Sequence, residues 1–145
     1  MSVDRQGSIP QAMDQFASVQ LNRLLGKLAF QVRRAAKHPD EKAIHDLRVS
    51  IRRLSECLQE FRQFFPRHET RKILKQLDKV MNLAAEMRNR DIAIELVGGA
   101  DGTARHEFLA NIQRERLQAK TKLVRTLAQW RRRDFSRKWR PWLAV

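Results

Sequence analysis

The chain has 145 residues, of which 42% are hydrophobic and 32% are charged. A chain of this length can form one domain with a core, and its hydrophobic fraction argues against an intrinsically disordered protein. The 30 Lys and Arg residues outnumber the 16 Asp and Glu residues, which leaves a formal net charge of +14. Because a compact protein with that much positive charge repels itself, we expect an acidic partner.

The basic residues are mostly arginine, with 21 Arg against 9 Lys. A planar guanidinium matches two phosphate oxygens at once, whereas Lys acts as a point charge, so phosphate is the expected acidic group. Cys57 is the single cysteine, which excludes an internal disulfide framework and favours a reducing compartment. The sequence has no signal-peptide pattern and no apolar run of about 18 residues. We therefore expect a cytoplasmic protein without membrane insertion.

Breaks rich in Pro or Gly at 37–40, 65–68 and 98–102 divide the chain into four segments with helical periodicity. The predicted helices run from about Pro10 to Ala36, from an Asp40 N-cap to Pro66, from about Glu69 to Val97 and from about Thr103 to Arg133. A short terminal helix capped by Asp134 follows. No alternating strand pattern competes, and short connections make neighbouring helices antiparallel. The sequence predicts an all-α, up-down four-helix bundle with a short C-terminal helix.

The first helix carries an apolar stripe with basic residues on its flank. The stripe consists of Met13, Ala17, Leu21, Leu24, Leu28, Val32 and Ala35. The flanking cations are Arg23, Lys27 and Arg34. They form either a solvated flank, which we favour for these three, or an extension of a basic wall. Similarly, Trp130, Trp139 and Trp142 either join nearby Arg residues in a patch for nucleic acid or, as we favour, seal one end of the bundle.

The second helix contains the most informative string, at 45–53. His45, Arg48 and Arg52 lie within about 60° of one another on a helical projection, while Leu47, Ile51, Leu54 and Leu58 form a separate apolar stripe. Such a ridge offers phosphate groups donors that are one helical turn apart. The alternative is a solvated basic face with a surface histidine.

On the third and fourth helices, cations share the predicted core-facing side. Arg88 projects with Leu77, Met81, Ala84 and Ile92, and on the fourth helix the cations Arg105, Arg116 and Lys120 project with Leu109, Leu123 and Leu127. Unpaired buried cations are costly, and an inward basic lining concentrates a positive potential that an anion would relieve. The alternative is a set of inward ion pairs, with Asp91 as a candidate partner.

Enzyme chemistry has little support in the sequence. The four His residues lack paired metal-ligand spacing, Gly98-Gly99 lacks the context of a phosphate-binding loop, and no paired carboxylates accompany the basic residues to hold magnesium. We therefore predict a binding protein that is not an enzyme and needs no cofactor.

Residues 45–54 resemble the signature of the CHAD family of helical domains, through His45, Arg48, Arg52, Arg53 and Leu54. The segment 87–92 resembles a second family motif on the following helix. The resemblance covers about 12–143 of a single domain spanning 1–145, and it implies binding of inorganic polyphosphate without catalysis. Together with the basic lining, it gives the following expected polyphosphate-binding residues: His45, Arg48, Arg52, Arg53, Arg88, Arg116, Lys120, Arg105 and Lys27.

The resemblance also implies that this chain is half of a CHAD-like domain, since the usual family domain has two four-helix halves and this sequence has one copy of each motif. Ser55 and Glu56 depart from the family pattern, in which a further Arg often follows. The half domain is either a fragment of a longer protein or, as we favour slightly, a chain that pairs with itself as a twofold homodimer.

Two other functions remain open at this level. A net charge of +14 attracts any phosphate backbone, so a non-specific DNA- or RNA-binding helical protein is the first alternative. The second is a structural or granule-associated interaction protein without a specific ligand. The resemblance to the CHAD family implies a location at polyphosphate granules, which we expect in the cytoplasm.

Overall fold

A computed structural model describes residues 2–99 and 102–144, and the side chains of 12–99 and 102–144. Its five α-helices are α1 (Ser2–Lys37), α2 (Glu41–Glu60), α3 (Arg67–Val97), α4 (Thr103–Arg132) and α5 (Phe135–Trp139). Short 3-10 turns occupy Arg62–Phe64 and Arg140–Leu143. The described residues contain no strand, so the all-α prediction is confirmed.

The four long helices form an up-down bundle. α1 packs mainly on α2, and α3 packs mainly on α4, while α1 also contacts α4 and α2 also contacts α3. Short connections make each pair of sequence neighbours antiparallel. At one end of the bundle the chain returns to α1, where the hydroxyl of Ser18 donates to the carbonyl of Leu143 at 2.7 Å. α5 and the 3-10 turn that follows it therefore cover that end.

The buried apolar residues form one cluster to which all five helices contribute. On α1 the prediction is confirmed for five stripe positions, namely Ala17, Leu21, Leu28, Val32 and Ala35. It is wrong for Met13, which is exposed, and Leu25 is fully buried where Leu24 is only half-buried. Leu24 and Leu25 flank the stripe at similar angles, so periodicity alone does not separate them.

Some predicted helix ends are confirmed, and others differ from the ends in the structure. Asp40 caps α2, since its carboxylate accepts from the backbone N–H of Ala43 at 2.7 Å. α2 ends at Glu60, before the predicted stop at Pro66, because the chain first tightens into the 3-10 turn at Arg62–Phe64. α1 begins at Ser2 and not at Pro10. The apolar stripe that guided the prediction starts only at Met13 and carries no information on the preceding turns.

Aromatic side chains close the end of the bundle near α5. The ring centroids of Trp130, Phe135 and Trp139 lie 5.1 to 5.4 Å apart, and all three side chains are buried. The prediction that the tryptophans seal the bundle is confirmed for Trp130 and Trp139. Asp134 does not cap α5 with its side chain; it has a left-handed backbone, with φ 48°, and turns the chain there. None of the described helices is long and apolar enough to cross a bilayer.

Candidate functional site

α2 presents a basic ridge to solvent. Its apolar stripe, Leu47, Ile51, Leu54 and Leu58, is fully buried against the rest of the bundle. The opposite face therefore points outward as a ridge of His45 and Arg52, which are exposed, and Arg48, which is half-buried. Arg53 is also exposed but lies beside this ridge, on the side of α2 that faces α1. The placement predicted for this ridge from periodicity is confirmed.

A first cleft of about 630 Å³ opens between the N-terminal half of α2 and the facing parts of α3 and α4. Its cationic lining comes from all three helices and consists of Lys42, Arg48, Arg88 and Arg116, with His45 at the edge. Met87 and Ile92 supply apolar wall. The structure thus brings four of the predicted site residues to one concave surface: His45, Arg48, Arg88 and Arg116.

Arg48 is the most unusual cation of the first cleft. Its Nε atom is buried and has no hydrogen-bond partner among the described residues. Burial, followed by the positive charges of Arg88 and Arg52, lowers the pKa of Arg48. Three guanidinium groups therefore crowd together with a donor that points at no acceptor, an arrangement that an anion would stabilise.

The expectation that Arg88 faces the core is wrong. Met87 is buried and Arg88 is exposed, and Ile92 is 42% exposed. The cause is the position of the buried stripe of α3, which includes Ala84 and Met87 and leaves the adjacent Arg88 about 100° further round the helix, at the first cleft. No carboxylate among the described residues pairs with Arg88 within 4.0 Å.

The three predicted cations of α4, Arg105, Arg116 and Lys120, are half-buried and none enters the core, which contradicts the predicted inward lining. Arg116 pairs with Asp91 of α3. Asp91, the predicted ion-pair partner, thus binds a cation of the neighbouring helix and not Arg88 of its own helix. Arg105 donates to the carbonyls of Val97 and Gly98, at 3.3 and 3.1 Å, and caps the C-terminus of α3. Neither Arg105 nor Lys120 is brought to the first cleft.

A second cleft, of about 820 Å³, lies between α1 and α2 on the other side of the ridge. Its cations are Arg23 and Lys27 of α1 and Arg53 of α2. His45 lines both clefts and marks the boundary between them. The sequence identified Lys27 and Arg53 but not the cleft itself, for which the available signal was Gly26, a helical residue without a side chain.

The two clefts differ in charge. The first contains four Arg or Lys residues and four carboxylates, the latter being Asp40, Glu41, Asp91 and Glu95. Of these carboxylates, Asp91 is held by Arg116 and Asp40 caps α2. The second contains three Arg or Lys residues and one carboxylate, Asp46, which already pairs with Arg34 at 2.7 Å. Within the described side chains, no group of three His, Cys, Asp or Glu residues is placed to hold a metal ion.

A sequence profile described as the CHAD domain matches residues 19–145. The chain belongs to the CHAD domain family. The match includes both clefts and the ridge of α2, so the features described above are parts of a CHAD domain. Searches among curated proteins and solved structures gave no match.

Proposed function

We propose that this CHAD domain binds inorganic polyphosphate, with the first cleft and the ridge of α2 as the primary site. The observation that carries the proposal is the state of Arg48, a half-buried guanidinium with an unpartnered Nε and two cationic neighbours. An anion in the cleft would offset the positive charge of Arg48 and its two cationic neighbours, and phosphate oxygens match the guanidinium fork.

The geometry favours a thin polyanion over a duplex. Arg48 lies within a cleft between helices, where a narrow chain can reach it, whereas a wide nucleic-acid duplex would meet mainly the exposed side chains around it. His45, Arg52 and Arg88 flank Arg48, so successive phosphate groups of one chain can meet several donors. We propose that the domain acts by binding alone, without catalysis, and that polyphosphate granules are where it would accumulate.

A twofold homodimer is part of the proposal. The chain carries one copy of each CHAD motif, and a second copy would restore two four-helix units. Exposed apolar side chains of α1 that lie outside the second cleft, namely Phe16 and Val19, are compatible with such a contact. Light scattering at micromolar concentration should give twice the mass of the 17.1 kDa chain, and a monomer both with and without polyphosphate would contradict the dimer.

The function is tested by competition between polyphosphate and duplex DNA. Both are offered at physiological salt and equal phosphate concentration, because non-specific binding through counterion release depends on salt and on total phosphate charge. We expect polyphosphate to displace the DNA while DNA fails to displace polyphosphate. Equal competition would favour the nucleic-acid alternative, and no binding of either would favour an interaction protein without a specific ligand.

A further inference from the structure

We infer that the second cleft, between α1 and α2, is a separate phosphate-binding subsite that a long polyphosphate chain reaches by crossing the ridge at His45. This inference rests on the proposed function and extends it to the length of the ligand. Through Arg23, Lys27 and Arg53, the second cleft binds a segment of the polyphosphate that lies outside the first cleft.

Charge supports this subsite more strongly than it supports the first cleft. Three cations of the second cleft face a single carboxylate, that of Asp46, and Arg34 already neutralises this carboxylate at 2.7 Å. In the first cleft, by contrast, cations and carboxylates are equal in number. A phosphate chain that leaves the first cleft therefore moves toward a more positive region of the surface.

Gly26 keeps the second cleft open. A glycine inside a helix costs roughly 0.5–1 kcal/mol relative to alanine. No packing contact requires it, because a Cβ added at Gly26 would meet no atom within 4 Å. Gly26 lines the cleft without adding a side chain to it, and Arg23 and Lys27 lie one turn apart on the same helix. Phosphate oxygens can therefore approach both cations from the cleft.

The two clefts adjoin each other across α2. His45 lines both of them, while Arg48 and Arg53 lie on the two sides of the helix. Neighbouring helix axes are about 8–10 Å apart, so a path from α3 over α2 to α1 spans roughly 16–20 Å. Tripolyphosphate is too short to cover that path. A long chain occupies both clefts at once, and the second contact gains from the high effective concentration created by the first.

The experiment compares three triple variants of the full chain, each of which loses three positive charges. They are R23A/K27A/R53A in the second cleft, R48A/R52A/R88A at the primary site, and R131A/R132A/R133A at the exposed end of α4 as the matched control. Calorimetry at physiological salt measures the affinity of each for tripolyphosphate and for long-chain polyphosphate. A fourth variant, Gly26→Leu, fills the cleft without changing charge, and thermal melts verify that every variant is folded.

We expect R23A/K27A/R53A and Gly26→Leu to weaken long-chain binding at least about tenfold relative to the control, since a second linked contact multiplies affinity by large factors. Both should retain tripolyphosphate binding, through the first cleft. If either folded variant binds long chains within about twofold of the control, the subsite is wrong while the proposed function stands. If the wild type binds neither ligand, the proposed function fails, and the subsite fails with it.

Discussion

The guanidinium of Arg116, on α4, donates to the carboxylate of Asp91, on α3, at the first cleft. This pair removes one cation from the set available to a phosphate chain and leaves a carboxylate beside it. Asp91→Asn should therefore raise polyphosphate affinity, by up to about fivefold if the released interaction contributes about 1 kcal/mol.

Glu115→Gln is the matched control for Asp91→Asn. Glu115 pairs with Arg90 at 3.4 Å, and neither residue lines a cleft, so the control changes the net charge equally at another place. Competition titrations compare the two variants with the wild type. Equal gains in both would show that total charge, and not the pair at the cleft, sets the affinity.

Arg48 should be a destabilising residue in the ligand-free protein. Burial and the neighbouring cations lower the pKa of Arg48 in the folded protein. The charged side chain therefore reduces the free energy of unfolding at every pH below that lowered pKa. Arg48→Met keeps the aliphatic stem and removes the charge. We expect the Tm to rise throughout the neutral range, with polyphosphate affinity falling roughly tenfold or more.

Differential scanning calorimetry with and without polyphosphate measures both effects of Arg48→Met. Ligand should raise the Tm of the wild type more than that of the variant, because binding to the folded state alone stabilises it in proportion to affinity. A lower Tm for the ligand-free variant would mean that Arg48 has a stabilising partner, contrary to the crowded, unpartnered guanidinium described above.

Gly26→Ala should stabilise the protein by roughly 0.5–1 kcal/mol, because alanine restricts the unfolded chain and suits the helix interior. The Cβ meets no atom within 4 Å, so no steric cost opposes this gain. Urea unfolding followed by circular dichroism measures the free energy of unfolding. A loss of stability would mean that another element packs against Gly26 in solution.

Periodicity was sufficient to predict α2 and its ridge, because Leu47, Ile51 and Leu54 define the buried face of a single helix. It was not sufficient for Arg88. That side chain projects with the predicted apolar stripe of α3, yet it is exposed because the stripe that is buried runs through Ala84 and Met87, to one side of Arg88. A helical projection gives the angle of each residue but not which side of a stripe the neighbouring helices cover.

The second cleft and the Arg116–Asp91 pair were also beyond the reach of the sequence. Both depend on how two helices are set against each other, and side-chain partners distant along the chain leave no periodic signal. Lys27 and Arg53 were identified as cations, but only the packing of α1 on α2 places them around one opening. Gly26, between Arg23 and Lys27, was the one local sign of that opening.

The most direct test of the account compares R48A/R52A/R88A with R131A/R132A/R133A in polyphosphate binding at physiological salt. Both variants lose three charges, so a non-specific polyanion binder would be weakened similarly in the two. A preorganised cleft predicts that the first variant loses orders of magnitude in affinity, because each charge-assisted contact contributes roughly 1.5–3 kcal/mol, while the second loses little. If the two folded variants bind polyphosphate within about threefold of each other, the Arg48 site is contradicted.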